Sequence, residues 1–342
     1  MKHRQQGVAL IFVLLIFVMV TVMASRIVTD LHFNVEKTAR QLQYLQVKHY
    51  AFAAENFVAM LLEEDAQHDK KTGKIMDHWF EPWADDKQAL ETEDGEITIM
   101  VVDDQGRFNL NLLSGSQSAG NPNGQEQSRQ RQSGQPNKEK LDFLIRLMTI
   151  HGINPNVAYR LQDWVDDNHE SLPEGAEDNF YLTLDTPYRT GNTALVSTSE
   201  LRLLNILTPE EFERIVPLVS ILPPNAGLNM NTVSAGVVRA LGDYISESDA
   251  NGFVDSRTKK GFSKLNEVLG HPILINRLDK RIEGLLTVNS NYFSVYIKAQ
   301  YRDMTYYQHS RLARDKDGRV SVISRETGVF PNWVKTLRES VR

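Results

Sequence analysis

Residues 1–25 read MKHRQQGVALIFVLLIFVMVTVMAS: a short basic leader, one glycine, and then an apolar run from Val8 to Ala24. Those seventeen residues make a helix of roughly 25 Å, just short of a hydrocarbon core of roughly 30 Å. Ser25 extends the run, and Lys2, Arg4 and Arg26 can snorkel from its ends. No carboxylate interrupts it. Lys2 and Arg4 ahead of the run, against Arg26 alone behind it, predict a cytoplasmic N-terminus. Three fates are open. The segment can stay as an uncut bitopic anchor. It can be a signal peptide cut between Val22-Met23-Ala24 and Ser25. Or the leader can be cut between Gly7 and Val8, leaving the apolar helix on the finished chain.

The stretch beyond the apolar run separates the three. From Ser25 to about Glu64 there is no proline or glycine. Ile27, Leu31, Val35, Ala39, Leu42, Leu45, Phe52, Ala53, Phe57 and Met60 are spaced as one face of a continuing helix, with Asp30, Glu36, Lys37, Arg40 and Lys48 largely elsewhere. A discarded signal peptide has no reason to run on into such a helix. The expectation is one helix of roughly 84 Å, half in a membrane and half packed on a domain, after cleavage at Gly7-Val8.

Composition bounds the rest. The 342 residues exceed one small core, and a net charge of -6 advertises no nucleic-acid partner. Cysteine is absent, which excludes disulfides, thiolate catalysis and thiolate metal sites. Glu96 to Val102 and Arg107 to Leu113 read as two strands, and Asp103-Asp104-Gln105-Gly106 between them as a hairpin turn. Three more strands are expected between Asn291 and Glu326, with Phe293, Val295, Ile297 and Ala299 alternating toward a core and Asp315-Lys316-Asp317-Gly318 as a turn. Two sheet halves so far apart imply an insertion.

That insertion opens with Ser114 to Lys138, which has no aromatic or large aliphatic side chain and reads as a disordered linker. Helical patterns succeed it, including Leu141-Ile145-Met148, Val157-Leu161-Trp164 and Phe212-Ile215-Val216, with start signals at Ser197-Thr198-Ser199-Glu200 and Thr208-Pro209-Glu210. Phe108-Asn109-Leu110-Asn111-Leu112 is echoed by Leu228-Asn229-Met230-Asn231-Thr232, a faint internal repeat read as packing units. Glu247 to Gly252 imitates the start of an EF-hand, but Thr258 stands where its bidentate Glu belongs, so a polar turn is expected.

Between Leu161 and Tyr188 lie eight carboxylates and no Lys or Arg: Asp163, Asp166, Asp167, Glu170, Glu174, Glu177, Asp178 and Asp185. Trp164, Leu172, Phe180, Tyr181, Leu182 and Leu184 are interleaved, so the loop is drawn onto a core and some of its acids lose water. Protonation, or a hard cation such as Ca²⁺ held by irregular oxygen ligands, would compensate; a solvated loop with no metal is the alternative. No G-x-S-x-G, H-E-x-x-H or Walker loop is present, while paired carboxylates in the acidic loop could in principle act as acid and base, as in glycoside hydrolysis.

The glycine before an apolar helix, and the amphipathic continuation of that helix, resemble type IV pilins and pseudopilins. In that family the fifth residue of the processed chain is usually Glu; here it is Phe12. That departure, with Asp163-Trp164-Val165-Asp166, Gly175-Ala176-Glu177-Asp178, Leu184-Asp185-Thr186-Pro187-Tyr188 and Ser197-Thr198-Ser199-Glu200-Leu201, resembles the type II secretion system protein K family of minor pseudopilins. The resemblance implies an α+β fold in which a long N-terminal helix packs on an antiparallel sheet, with a large mainly α-helical domain inserted between strands. The expected division is a leader at 1–7, a transmembrane half-helix at 8–25, an amphipathic half at 26–65, and a first sheet part at 66–113. Then come a linker at 114–138, an insert at 139–285 with the acidic loop at 163–185, and a C-terminal sheet part at 286–342.

It also implies cutting by a prepilin peptidase, N-methylation of Val8, and a non-enzymatic role at the pseudopilus tip beside I- and J-type minor pseudopilins. One or two Ca²⁺ ions are implied in the acidic loop, with Asp166, Asp167, Glu174, Glu177, Asp178 and Asp185 as candidate ligands. The chain would sit in the inner membrane with its bulk in the periplasm and take no nucleic acid or small-molecule substrate. A bitopic receptor left uncut at Gly7, or a secreted carboxylate hydrolase, are the competing functions.

Overall fold

The computed structural model describes residues 6–85, 89–92, 94–114, 138–257 and 260–334. Residues 1–5 of the expected leader, 115–137 of the expected linker, Thr258 and the C-terminal 335–342 lie outside the described residues. Helix α1 (Gln6–Thr72) runs for 67 residues, about 100 Å, further than the sequence spacing suggests. Its first part stands clear of the rest of the chain, with Leu10, Phe12 and Phe17 all more than 60% exposed.

Only the second part of α1 is docked, and it docks on a face other than the expected one. Val47, Ala51, Ala54, Val58 and Leu62 are buried, whereas Met60 is 54% exposed and Ala53 is also on the outside. The spacing of four, three, four and four is helical. Alanines at two of these positions let the helix axis come close to the sheet, so small side chains rather than Phe52 and Met60 define the core face. Glu55 lies on the same face, 1% exposed. It accepts from Gln308 Nε2 at 3.0 Å, from Ser310 Oγ at 2.5 Å and from the Arg325 guanidinium at 2.8 Å.

The sheet under α1 takes strands β1 (Ala89–Thr92) and β2 (Gly95–Asp103) from before the insert, and its other strands from the end of the chain. β2 ends where Asp103 turns inward, and the expected hairpin does not form. Asp103 Oδ1 caps a 3-10 turn at Gln105 N, and Oδ2 takes hydrogen bonds from Asn229, Thr232 and Ser290. β3 (Phe108–Asn109) therefore leaves the sheet and pairs elsewhere.

The insert contains α2 (Lys138–Ile150), α3 (Asn156–Val165), α4 (Asp178–Tyr181), α5 (Pro209–Ile215), β4 (Val219–Ser220), β5 (Leu228–Asn229), α6 (Ala235–Arg239), α7 (Glu247–Ser256), α8 (Leu265–Leu269), α9 (Lys280–Glu283) and β6 (Leu286–Thr287). Thr208 and Ser197 begin their helical segments with full capping boxes, as their neighbours foretold. The segment expected as a polar turn at Glu247 is instead α7, because Ser246 and Asp249 bond each other's backbone N–H as a capping box. A core of Phe108, Phe143, Leu147, Leu161, Trp164, Val237 and Phe253, among others, holds these pieces together.

The internal repeat is structural. β3 pairs parallel with β4, and β5 pairs parallel with β6. In the first module Asn111 donates to Leu195 O and Leu222 O and accepts from Leu195 N. In the second, Asn231 donates to Phe262 O and Val288 O and accepts from Phe262 N. Asn109 and Asn229 each accept from the N–H two residues on. One amide side chain thus closes a loop of distant backbone twice over.

After β6 the chain returns as β7 (Tyr292–Tyr301), β8 (Met304–Arg314) and β9 (Val320–Thr327). The sheet order is β1-β2-β7-β8-β9 with every pairing antiparallel. Phe293, Val295, Ile297 and Ala299 are all fully buried, as the alternation predicts. Gly318 closes the β8–β9 turn at φ +83, with its N–H on Asp315 O. Pairing of β2 with β7 across the insert makes the insert a loop on a pilin-like sheet.

Candidate metal centre

The acidic loop is built from the end of α3. Val157, Ala158, Leu161, Trp164 and Val165 pin that helix to the core. Asp163 and Asp166, three apart, are thereby carried in together, with side chains largely out of water. The chain loops back through Gly175 to Glu177 at the start of α4. Trp164, Tyr181 and Tyr188 form one side, with Trp164 edge-on to Tyr181 at 5.3 Å and Tyr181 stacked on Tyr188 at 5.3 Å.

Asp163 is 0% exposed and accepts from Leu172 N at 3.1 Å and Ser171 Oγ at 3.3 Å. A Cβ on Gly175 would stand 2.0 Å from its Oδ2, so only glycine permits this approach. Glu177 is 2% exposed, and neither carboxylate oxygen has a hydrogen-bond partner of standard geometry. Burial, then the Asp163 charge, with Asp166 and Asp178 adding, push its carboxyl up to about 7, which the nearby Thr190 side chain eases only in part. Burial first, opposed chiefly by Leu172 N–H, puts Asp163 at about 6. Burial also raises Asp166. Further orphaned buried atoms lie in the same stretch: Gln162 Oε1, Trp164 Nε1, Tyr181 Oη and Asn192 Oδ1. A cation can meet only the oxygens among these atoms; the Trp164 N–H is a donor and takes water or another acceptor.

Of the six candidate ligands, Asp166 and Glu177 are buried together with Asp163. Asp178 is close by but already engaged, accepting from Thr190 N, Thr190 Oγ1 and Arg189, which hold it below the usual carboxylate range. Asp167, Glu174 and Asp185 are exposed. Glu174 accepts from Asn156 Nδ2 at 3.0 Å and sits at φ +67. Asp163 was not among the six candidates, although its place three residues before Asp166 on a helix was a signal that the two would be buried together. The donors are hard oxygens with no thiolate, and His169 lies exposed against Asn192. Hard oxygens are the donor class that Ca²⁺ accepts, but among the described residues Asp163, Asp166 and Glu177 do not bring three carboxylate oxygens within 4.8 Å of one another.

A second acidic group was not foreseen at all. Asp65, Asp77 and Glu81 each place an oxygen within 4.8 Å of the others, between α1 and the end of β8. Arg314 supplies the counter-charge, donating to Asp77 at 2.6 Å, to Asp65 at 3.1 Å and to Ser290 O at 2.6 Å. Burial raises all three carboxyls, and Glu81, bonded by His78 N and Trp83 Nε1, is raised furthest. With a guanidinium already in its midst, this cluster ties α1, the sheet and the second module together.

The fold and site define a class: a pilin-like protein whose long apolar-tipped helix rests on an antiparallel sheet, with an acid-bearing helical insert between strands. The family described as "Type II secretion system (T2SS), protein K" matches residues 106–224 and 228–289. Those two stretches coincide with the two asparagine modules, the first running through β4 and the second from β5 past β6. A Type II secretion system protein K of Pseudomonas aeruginosa is 32% identical over 336 residues, covering 96% of this chain and 94% of that one. One from Klebsiella pneumoniae is 31% identical, covering 98% and 99%. The crystal structure of the GspK-GspI-GspJ complex from the enterotoxigenic Escherichia coli Type 2 Secretion System holds a chain of the same fold, with a TM-score of 0.71 at 23% identity, covering 86% of this chain and all of that one. The chain belongs to the type II secretion system protein K family.

Proposed function

We propose that this chain is a non-enzymatic minor pseudopilin that sits at the pseudopilus tip and helps to start assembly for secretion across the outer membrane. The observation that carries this is α1: a membrane-length apolar half stands free, while the other half is fixed to a sheet by Glu55 and a row of small side chains. A free helix of that kind suits packing among like helices in a bundle, after release from an inner membrane. The leader would be cut after Gly7 by a prepilin peptidase and Val8 methylated, with the N-terminus cytoplasmic and the bulk periplasmic. Phe12, lacking a carboxylate, cannot neutralise a neighbour's terminal amine, which suits a subunit with nothing above it.

I- and J-type minor pseudopilins are the partners this reading names, supported by the complex formed by the Escherichia coli relative. Family membership supports a structural role over a catalytic one. Ca²⁺ would be held by Asp163, Asp166 and Glu177, with Asp178 and the exposed acids at the margin. There it would neutralise buried charge and brace the loop. Co-expression with I- and J-type subunits tests the assignment. The wild-type chain should co-purify with both, and Phe12→Glu should leave the fold intact while lowering recovery of complex or secretion. A chain that captures neither partner would refute it.

A further inference from the structure

A cavity of about 250 Å³ opens where the insert meets the sheet face turned away from α1. Arg107, Tyr296, His309, Arg311 and Trp333 line it. Arg107 is only 7% exposed, is paired with Asp104, and lies with its guanidinium 5.0 Å from the Trp333 ring. Its Nε has no hydrogen-bond partner.

The surroundings restrict what can bind there. Asp104 is consumed by Arg107 on one oxygen and by Ser294 Oγ at 2.8 Å on the other. His309 lies flat on Tyr296, rings 4.4 Å apart and 3° from parallel, with Nε2 on Ser294 Oγ. Burial lowers its pKa, so it meets the cavity as neutral imidazole. Arg311 uses Nε on Ser324 Oγ at 3.0 Å, which leaves the end of its guanidinium for a ligand. Glu326, on the rim, stands 4.0 Å from His309 and repels anything strongly negative. Two arginines against two carboxylates leave the cavity near neutral, so a doubly charged anion is disfavoured more than a singly charged one. Its volume admits a single side-chain-sized group, and Val196, Val216 and Ile221 give that group an apolar bed.

We infer that this cavity is a binding site for one peptide carboxylate of a partner protein, held by the Arg311 guanidinium, with the Arg107 guanidinium and the Trp333 ring forming the wall beside it. The carboxylate can come from an acidic side chain or from a chain terminus. Planar, forked donors are suited to carboxylates of either origin. The site is distinct from the acidic loop and needs no metal.

The test is calorimetric titration of the full chain in detergent with four probes. N-acetyl-glutamate α-amide offers only a side-chain carboxylate, and N-acetyl-alanine only a terminal one. N-acetyl-glutamine α-amide is the neutral isostere, and inorganic phosphate the more highly charged anion. At least one carboxylate probe should bind about tenfold more tightly than the neutral amide and phosphate, the size expected for one hydrogen bond to a charged group. Whichever carboxylate wins identifies the source. Arg311→Gln should weaken that probe about tenfold. Because Arg107→Gln strands Asp104, Trp333→Leu serves as the second variant and should also weaken binding. Equal affinity for acid and amide, preference for phosphate, no binding of either carboxylate at millimolar concentration, or an unchanged affinity in Arg311→Gln would each overturn the inference.

Discussion

Glu177 shows how the burial of a single carboxyl makes stability depend on pH. Its carboxyl is raised from 4.5 to about 7, so the folded chain without metal binds a proton that the unfolded chain releases. That contribution to stability is complete below about pH 4.5 and is lost as pH rises through about 7. The metal-free protein should therefore melt at lower temperature as pH climbs through this window. Calcium should restore the melt most strongly at the upper end, and Glu177→Gln should flatten both the pH slope and the calcium response. A wild-type melt indifferent to calcium and to chelator at pH 7.5 would remove the metal. Gly175→Ala, which drives a methyl into Asp163, should blunt the calcium response in the same assay. The burial of Asp166 and Glu177 was legible in the sequence because apolar residues interleave the acids. The complete burial of Asp163 was not, since it depends on which face of α3 meets the core.

Elements were legible where their signals are local and misread where a distant partner decides. The capping boxes at Ser197 and Thr208, the β7–β9 alternation and the Gly318 turn all depend on near neighbours. Asp103 to Gly106 carries good turn chemistry, yet its carboxylate is claimed by Thr232 and Ser290, far along the chain. The docking face of α1 was misassigned because large apolar residues attracted attention while Ala51 and Ala54 make the close contact. Two variants probe these elements. Glu55→Ala leaves Gln308, Ser310 and Arg325 without their acceptor and should cost about 2–4 kcal/mol in chemical unfolding. Asn231→Ala removes a buried amide bonded to Phe262 and Val288 and should cost about 2–3 kcal/mol. A loss under about 0.5 kcal/mol in either case would mean that the contact is not what holds its elements.

The whole molecule divides its labour between two cores. One lies between α1 and the sheet, the other inside the insert, and Asp77, Asp103, Arg314, Asn229 and Ser290 join them at a buried polar junction. The insert could be foreseen from two sheet halves separated in sequence, but the duplicated asparagine modules showed only as a faint echo, because the backbone they close comes from residues far away. The assembly reading requires that the free apolar half of α1 stay on the finished protein. Intact-mass measurement of the chain extracted from membranes of a host with its prepilin peptidase addresses this directly. The predicted species begins at methylated Val8 and keeps the apolar helix; a chain beginning at Ser25, recovered free of membrane, would contradict the account.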